Sequence, residues 1–470
     1  MLSAVEHSDT YVQLQTSAVS DAQLLAQNEL IEEIRTTIIS HPYLDDKLKA
    51  LKETMVPWSE YEKIGLITAD EVAMIEHVEN KTAEELVPIM AEHGLYYAAL
   101  YLDLMHKLAR VDTLQKVLVL IHDMLDEHEE RIELFHQAGS KVTDFPFGPF
   151  HKALRIGDEF IGIQSSKILT LLICSTSQRD IDIYEFFRWI TFQLQSPHQH
   201  IIDLNIQILD ALFHIPEYRE AFWKTTHAID SLVNTLRKTQ EKNAGPQKIY
   251  EIMFALWLLT FNKTIAENLD RKCRIIPTLV SLAKFAVKEK VVRVVIATFK
   301  NLIEKAPAEN IPAMLVAKLL PLCEHLGTRK WNDQEITEDI VFVQEELQKN
   351  FQSLTTFEVY ASELETGMLQ WSPSHSSENF WKQNAHKLND NDQLLLKQLS
   401  RLLSSSTDPV VLAVACHDIG QYVKYSTSDG KKYLQALGAK QRIMELMTHQ
   451  DPNVRYQALC ATQKYFAMTS

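Results

Sequence analysis

The chain has 470 residues, a formal net charge of −15 and 46% hydrophobic residues. That length exceeds what one ordinary core fills, so it favours several domains or an elongated stack of repeats. The 12 glycines are too few for sandwiches, barrels or dinucleotide-binding domains, which need glycine in turns and phosphate loops. The acidic balance argues against a nucleic-acid surface, which needs clustered lysine and arginine. Composition therefore favours an all-α protein that binds no nucleic acid.

Helical periodicity is the dominant pattern along the chain. Apolar residues recur at every third or fourth position, which places them on one face of a helix. Many helices joined by short links, without strand-like alternation, predict a stacked helical array. In chain order, we predict helices at 21–40, 69–75, 83–92, 96–108, 113–137, 158–173, 181–195, 201–213, 226–239, 247–261, 277–287, 291–305, 312–325, 336–352 and 410–425.

A motif that begins a helix occurs twice in the last quarter of the chain. Residues 408–411 read Asp-Pro-Val-Val and precede a helix with Ala415, while 451–454 read Asp-Pro-Asn-Val and precede one with Ala458. Each element recurs at an offset of 43 residues, within the armadillo/HEAT period. Aspartate is a favoured N-cap and proline fits the first helical turn. The two motifs are therefore predicted to begin equivalent helices.

A second element is also repeated. The apolar segments 275–282 and 437–447 both resemble the last helix of an armadillo repeat. Leu282 and Leu446 within them are 164 residues apart, which equals four units of 41. Together the two elements predict the fold class, an all-α armadillo/HEAT-type helical-repeat solenoid in two domains.

The charge distribution changes near residues 352–356. Basic and acidic residues number 11 each in 357–470, so the whole excess of negative charge lies before that point. We predict an N-terminal helical-repeat domain at 1–352 and a C-terminal one at 353–470. A serine-rich junction segment, 365–379, lacks periodicity and is expected to be ordered but not helical. The aromatic loop 145–150 is expected to pack on the protein's own core rather than on a partner.

No residue pattern predicts catalysis, a cofactor or a metal. The pair of glycines with phosphate-loop spacing is not followed by the required lysine and hydroxyl residue. His122 and Asp126 lie one helical turn apart, but no His-Glu-x-x-His motif forms, and we interpret them as part of a solvated acidic face. His417 and Asp418 lie in an apolar helix, where a structural hydrogen bond is favoured over a catalytic base because no nucleophile accompanies them.

Three features predict a cytosolic protein without direct membrane insertion. The five cysteines are far apart and show no metal or redox spacing, which fits a reducing compartment. Residues 1–21 lack the apolar core of a signal peptide. The longest uncharged apolar stretch, 252–262, has 11 residues, whereas a membrane span needs about 20.

A specific resemblance lies in the C-terminal quarter. Residues 357–385 read F-E-x-Y-x-S-E-x-x-x-G-x-L-x-W-S-P-x-H-x-S-E-x-F-W-x-x-N-A. This pattern resembles the start of the C-terminal domain in the H-subunit family of the vacuolar-type proton-pumping ATPase (V-ATPase), and 412–423 and 451–459 continue it. A weaker likeness to the family's N-terminal domain begins at Trp58-x-x-Tyr61.

The resemblance implies a non-catalytic regulatory subunit on the cytosolic face of vacuolar and other acidic-organelle membranes. Such a subunit is needed for coupled ATP hydrolysis and proton transport in the assembled pump, and it silences ATP hydrolysis by the free catalytic sector. The N-terminal domain is then expected to hold the peripheral stalk, which is built from the E and G subunits. The C-terminal domain is expected to contact the cytosolic part of the membrane-embedded a subunit, or the catalytic sector and rotor when these are free.

Contacts to partners are expected from the turns between helices, because solenoid helices use their apolar faces on each other. In the C-terminal domain, Phe380 and Trp381 are instead expected to anchor the junction segment to the core. The candidate partner-contact residues are Trp371, His375, Ser404, Asp408, Tyr425, Lys431 and Lys432.

An armadillo-type adaptor that binds linear peptides is the alternative function. Such adaptors carry a ladder of tryptophan and asparagine on successive inner helices. Trp189, Trp223 and Trp257 are spaced by 34 residues each, but no regular asparagine ladder accompanies them. Core packing is the simpler interpretation of these tryptophans.

Overall fold

A computed structural model describes residues 42–126, 128, 131–139, 144–176, 182–242, 245–354, 356–426 and 430–467, with no account of the side chains of 352–354 and 467. These residues form helices and no β-strand, which confirms the predicted all-α class. The predicted helix at 21–40 lies outside the described residues. The chain divides into two compact units, Met1–Asn262 and Lys263–Ser470. This division between residues 262 and 263 is a different one from the predicted domain boundary between 352 and 353, which stays a prediction.

The first unit is a succession of helices that pack on their neighbours in the chain and on the second or third helix along. In chain order these are α1 Pro42–Lys52, α2 Trp58–Lys63, α3 Ala69–Val78, α4 Ala83–Lys107, α5 Val111–Leu125, α6 Ile132–Gly139, α7 Gly148–Ala153, α8 Glu159–Cys174, α9 Ile183–Gln193, α10 Gln199–Phe213, α11 Pro216–Lys224, α12 Ala228–Glu241 and α13 Pro246–Leu259.

The second unit continues the same construction and ends in a pair of long, closely packed helices. Its helices are α14 Lys263–Cys273, α15 Ile275–Phe285, α16 Glu289–Lys305, α17 Pro307–Val316, α18 Leu319–Gly327, α19 Gln334–Leu354, α20 Phe357–Thr366, α21 Pro373–Ser376, α22 Glu378–Asn384, α23 Asp390–Ser405, α24 Pro409–Tyr425, α25 Gly430–Ala436, α26 Ala439–Leu446 and α27 Pro452–Ala467.

A residue with a left-handed backbone conformation precedes the corresponding helix in several repeats. His227, Arg274, Lys318 and Gly438 have φ values of 60°, 51°, 63° and 72°, and each directly precedes a helix, namely α12, α15, α18 and α26. The residue lets the chain reverse sharply between two short helices of a repeat. The segments 275–282 and 437–447, which we predicted to be equivalent, thus each contain the start of an equivalent helix, at Ile275 and at Ala439.

Four predicted helices are divided differently in the structure. The segments 83–92 and 96–108 form one helix, α4, in which Gly94 faces Leu134, 2.8 Å from the position a Cβ would take, so this glycine permits close packing. The prediction of one helix at 113–137 was wrong, because the backbone adopts an extended conformation at Asp126, where α5 ends. The prediction at 312–325 was also wrong, since the left-handed Lys318 separates α17 from α18.

The predicted helix-start motifs are confirmed. Asp408 is the N-cap of α24, and its Oδ1 accepts a hydrogen bond of 2.8 Å from the amide of Val410. Asp451 Oδ1 likewise accepts from the amide of Val454, at 3.1 Å. The helices that follow, α24 and α27, approach so closely that a Cβ on Gly420 would lie 3.1 Å from the Cα of Ala461.

The two irregular segments are ordered. The junction segment 365–379 leaves α20 at Gly367, where φ is 70°, and then forms the one-turn helix α21 and the start of α22, so its predicted lack of helix was only partly right. In the aromatic loop, Phe150 is buried, while Phe145 and Phe147 are half-buried against His106 and His136. As expected, this loop packs on its own unit.

Candidate partner-contact surfaces and a buried ionic cluster

A histidine held by two carboxylates lies at the centre of the C-terminal region. His375 on α21 has no solvent exposure, and its Nδ1 lies 2.6 Å from Asp418 Oδ2 on α24. Its Nε2 lies 2.7 Å from Glu363 Oε2 on α20. The indole of Trp381 donates to the backbone oxygen of His375, at 2.8 Å. The three helices α20, α21 and α24 are thus joined through one side chain.

The electrostatics of this cluster favour a charged histidine. Burial by itself lowers the pKa of His375, but the carboxylate of Asp418 and then that of Glu363 raise it to about 9. Burial raises the pKa of Asp418, whereas His375 and then His417 lower it to below its ordinary value. The cluster is therefore a protonated imidazole between carboxylates, an arrangement that offsets the cost of burying each charge.

The neighbouring aromatic and histidine side chains complete the cluster. His417 Nδ1 lies 3.2 Å from Asp418 Oδ1, and the ring of Trp371 meets that of His417 edge-on, with 5.1 Å between the centroids. The structural hydrogen bond that we favoured for the His417–Asp418 pair is present. Because both nitrogens of His375 are bonded to carboxylates and its side chain is sealed from solvent, this histidine has no free nitrogen with which to accept a proton from a substrate.

Two of the candidate contact residues are thus placed inside this cluster rather than on the surface. Trp371 is half-buried and His375 is fully buried. Phe380 and Trp381 are buried in the core, so the anchoring role that we expected for them is confirmed. A partner contact by His375 stays a prediction, and it requires the junction segment to move.

The turn between α23 and α24 is exposed. Ser404 and Asp408 both face solvent. Asp408 caps α24 while Ser406 Oγ accepts a hydrogen bond of 3.1 Å from the Asp408 amide. These local bonds hold the turn in one conformation, and a partner would meet a preformed surface there.

The end of α24 carries the next candidate, Tyr425, which is half-buried. Its hydroxyl donates to Glu378 at the start of α22, and Lys424 Nζ lies 3.2 Å from the same carboxylate. The hydrogen bonds from Tyr425 and then Lys424 hold the pKa of Glu378 at about 2. Residues 427–429, which connect this end of α24 to Lys431 and Lys432, lie outside the described residues.

The two adjacent lysines that follow differ in their surroundings. Lys431 is half-buried, and its Nζ donates to the backbone oxygen of Tyr465 on α27, at 2.9 Å. Lys432 is exposed. The sequence therefore placed Ser404, Asp408 and Lys432 correctly at the surface, but it did not show that Lys431 is tied to the last helix.

Two negative findings apply to the part of the chain that the structure describes. In that part, His, Cys, Asp and Glu side chains form no group of three or more that could hold a metal ion. In the same residues, no helix combines the length and apolar character that crossing a membrane requires. His122 is half-buried, and burial lowers its pKa to about 4, so our interpretation of this histidine as part of a solvated face was wrong.

A helical-repeat array with a sealed ionic cluster and polar, preformed turns belongs to the class of repeat scaffolds, which act by binding other proteins. Two sequence profiles, each described as the H subunit of the V-ATPase, match residues 42–347 and 353–469. The chain therefore belongs to the V-ATPase H-subunit family, whose members are non-catalytic and have the other subunits of the V-ATPase as partners.

Relatives from this family align with nearly the whole chain. The V-type proton ATPase H subunit of Drosophila melanogaster is 33% identical over 444 residues, covering 93% of this chain and 92% of the relative. A probable V-type proton ATPase H subunit of Caenorhabditis elegans is 34% identical, covering 89% and 93%. A designed armadillo repeat protein aligns with 53% of this chain and 99% of its own at a TM-score of 0.42 and 16% identity, too loosely to carry an argument.

Proposed function

We propose that this chain is a regulatory subunit of the vacuolar proton-pumping ATPase, needed for coupled ATP hydrolysis and proton transport in the assembled pump. When the catalytic sector is free, the chain silences its ATP hydrolysis. The observation that carries this proposal is the match of both family profiles, which together span 42–347 and 353–469. The chain acts in the cytoplasm, on the cytosolic face of vacuolar and other acidic-organelle membranes, through its partners.

The two predicted domains have different roles in this proposal. The N-terminal domain, 1–352, carries the negative charge of the chain and holds the peripheral stalk of E and G subunits. The C-terminal domain, 353–470, contacts the cytosolic part of the membrane-embedded a subunit in the assembled pump. In the free sector it contacts the catalytic subunits and the rotor. The preformed turn at 404–408 and the exposed Lys432 support a contact role for this domain.

The alternative function, an adaptor for linear peptides, gains no support from its tryptophans. Trp189, Trp223 and Trp257 are all half-buried. Trp189 stacks on Phe186 with 6.2 Å between the ring centroids, and Trp257 meets Phe261 at 4.9 Å. Phe186 lies on the same helix as Trp189, and Phe261 closely follows the helix of Trp257, so these are local packing contacts.

The test uses the full-length chain in two measurements. Affinity purification of the tagged chain from cells should bring down the other pump subunits. The purified chain, added to catalytic sector stripped of its own copy, should reduce ATP hydrolysis by that sector. Failure of the subunits to co-purify, or unchanged hydrolysis after saturating binding, would contradict the proposed function.

A further inference from the structure

Two successive turns of the second unit are fixed side by side. The carboxylate of Glu289, at the start of α16, accepts hydrogen bonds from the backbone amides of Asn332 and Asp333, at 2.7 and 2.8 Å, and from Asn332 Nδ2 at 2.9 Å. These bonds join the end of α15 and start of α16, 284–290, to the turn 328–333 of the next repeat. We call the two segments together the paired-turn surface.

The paired-turn surface is basic in an acidic protein. Lys284, Lys288 and Lys290 are exposed on the first turn, and Arg329 and Lys330 are exposed on the second. The two acidic side chains of the surface are already bonded within the protein. Glu289 accepts hydrogen bonds from the backbone of the second turn, and Asp333 forms an ion pair with Arg293 of α16. Five cationic side chains are therefore exposed on this surface, although the chain as a whole has a formal net charge of −15.

The same surface exposes apolar side chains. Phe285 is 69% exposed and Val287 is 94% exposed, and both lie between lysines. Lys284 Nζ is 5.4 Å from the centre of the Phe285 ring. Leaving such side chains in water forgoes the free energy of burying them, so a surface that combines them with cations suits a ligand with both apolar and acidic groups.

We propose that the paired-turn surface docks an acidic amphipathic helix of a partner subunit. Neighbouring helices pack roughly 8–10 Å apart, so the two turns are separated by no more than about two turns of an α-helix, or about seven residues. A helix with carboxylates seven residues apart reaches the cations of both turns, while an apolar residue between them covers Phe285 and Val287. A lipid surface fits less well, because an anionic leaflet repels the remaining negative charge of the chain.

This inference rests on the proposed function, since the partner is another component of the same pump. The test measures binding of full-length chain to catalytic sector stripped of its own copy. The variant Lys288→Glu/Lys330→Glu reverses one charge on each turn, and Phe285→Ser removes the apolar contact. Two matched controls change exposed residues elsewhere in the unit. Arg271→Glu/Lys305→Glu reverses the same number of charges, and Val341→Ser removes an exposed apolar side chain.

We expect the paired-turn charge reversal to weaken binding about tenfold or more at low salt, and Phe285→Ser to weaken it several-fold, while both controls bind as the wild type does. Unchanged thermal melts would show that the variants fold. If the wild type binds and the charge-reversed variant binds equally well, the docking surface is wrong. If the wild type itself fails to bind, the proposed function is contradicted, and this inference falls with it.

A second binding assay distinguishes a lipid occupant. Full-length chain is sedimented with vesicles of phosphatidylcholine containing about one third phosphatidylserine. The docking proposal expects no difference between the wild type and the charge-reversed variant. Vesicle binding that the reversal abolishes, together with unchanged binding to the sector, would assign the surface to lipid and overturn the proposal.

Discussion

His375 Nδ1 and Asp418 Oδ2 are 2.6 Å apart, although the two residues are separated by 43 positions in the chain. The bond ties the one-turn helix α21 to the middle of α24. The same short helix also contacts α17, which precedes the predicted domain boundary, and α19, which crosses it. This ion pair therefore fixes the segment through which the two predicted domains are joined.

The pH dependence of stability should report this ion pair. The ordinary pKa of histidine is about 6.5, and in the fold that of His375 is raised to about 9. A group whose pKa is raised by folding stabilises the fold fully below its unfolded pKa, and this contribution is lost as pH rises through the folded value. The wild type should therefore lose stability between about pH 6.5 and pH 9 relative to His375→Gln.

Thermal melts of both proteins across this pH window provide the measurement. The difference in melting temperature between the wild type and His375→Gln should shrink as pH rises. Hydrogen exchange of residues 368–385 offers a local readout of the same effect. A difference that stays constant from pH 6 to pH 10 would show that His375 does not carry a proton in the fold.

A double-mutant cycle should show strong coupling between His375 and Asp418. Asp418→Asn leaves a buried charged histidine without its main partner and should cost about 3–5 kcal/mol of unfolding free energy. The double variant His375→Gln/Asp418→Asn should cost less than the sum of the single variants, with a coupling of about 1–3 kcal/mol. Chemical denaturation followed by tryptophan fluorescence measures all four proteins.

An exposed ion pair between the same parts of the fold provides the control for this cycle. Lys424 and Glu378 join α24 to α22, but their side chains are 44% and 60% exposed. Exposed pairs contribute about 0–1 kcal/mol, so the cycle Lys424→Gln/Glu378→Gln should show weak coupling. Equal coupling in the two cycles would contradict the special role of the buried pair.

How far the sequence predicted the fold depended on whether the determining interactions were local. The caps at Asp408 and Asp451 were predictable, because an N-cap bonds amides only two or three residues away. The helix breaks at Asp126 and Lys318 were not, since neither position holds the glycine or proline that usually marks a turn.

The ionic cluster was less predictable still. The sequence drew attention to His375 through the family resemblance and to Asp418 through its histidine neighbour, but nothing local paired the two. Their contact depends on how repeats stack, and stacking brings together residues about one repeat apart. Other side-chain bonds share this range, for example Lys300 with Asp339 and Lys248 with Asp203, which are 39 and 45 positions apart.

The close packing of the last two long helices should make Gly420 intolerant of a side chain. A Cβ there would lie 3.1 Å from the backbone of Ala461 and 3.3 Å from a carbon of Lys464, so Gly420→Val should force α24 and α27 apart and cost about 1–3 kcal/mol. Gly157→Ala is the control, because a Cβ at that position meets no atom within 4 Å. Urea denaturation compares the two, and equal stability would show that α24 and α27 can separate without cost.

The division of labour between the predicted domains leads to the last prediction. A chain truncated after Gln352 keeps the acidic part that is proposed to hold the stalk, but it loses the turn at 404–408, Lys432 and the ionic cluster. Added to catalytic sector stripped of its own copy, this truncated chain should bind but should no longer silence ATP hydrolysis. Binding is measured by co-sedimentation with the sector, and silencing by the steady-state rate of hydrolysis.

This truncation needs its own control for folding, because α21 contacts α17 and α19 and its removal uncovers both helices. Circular dichroism should show a helical protein with a cooperative melt before any binding result is interpreted. The full-length variant His375→Gln/Asp418→Asn provides an intermediate case, in which the C-terminal domain is present but less firmly held at α21. It should bind the sector as the wild type does and silence it less completely. If the truncated chain is folded and either fails to bind or inhibits as well as the full chain, the proposed division between the domains is wrong.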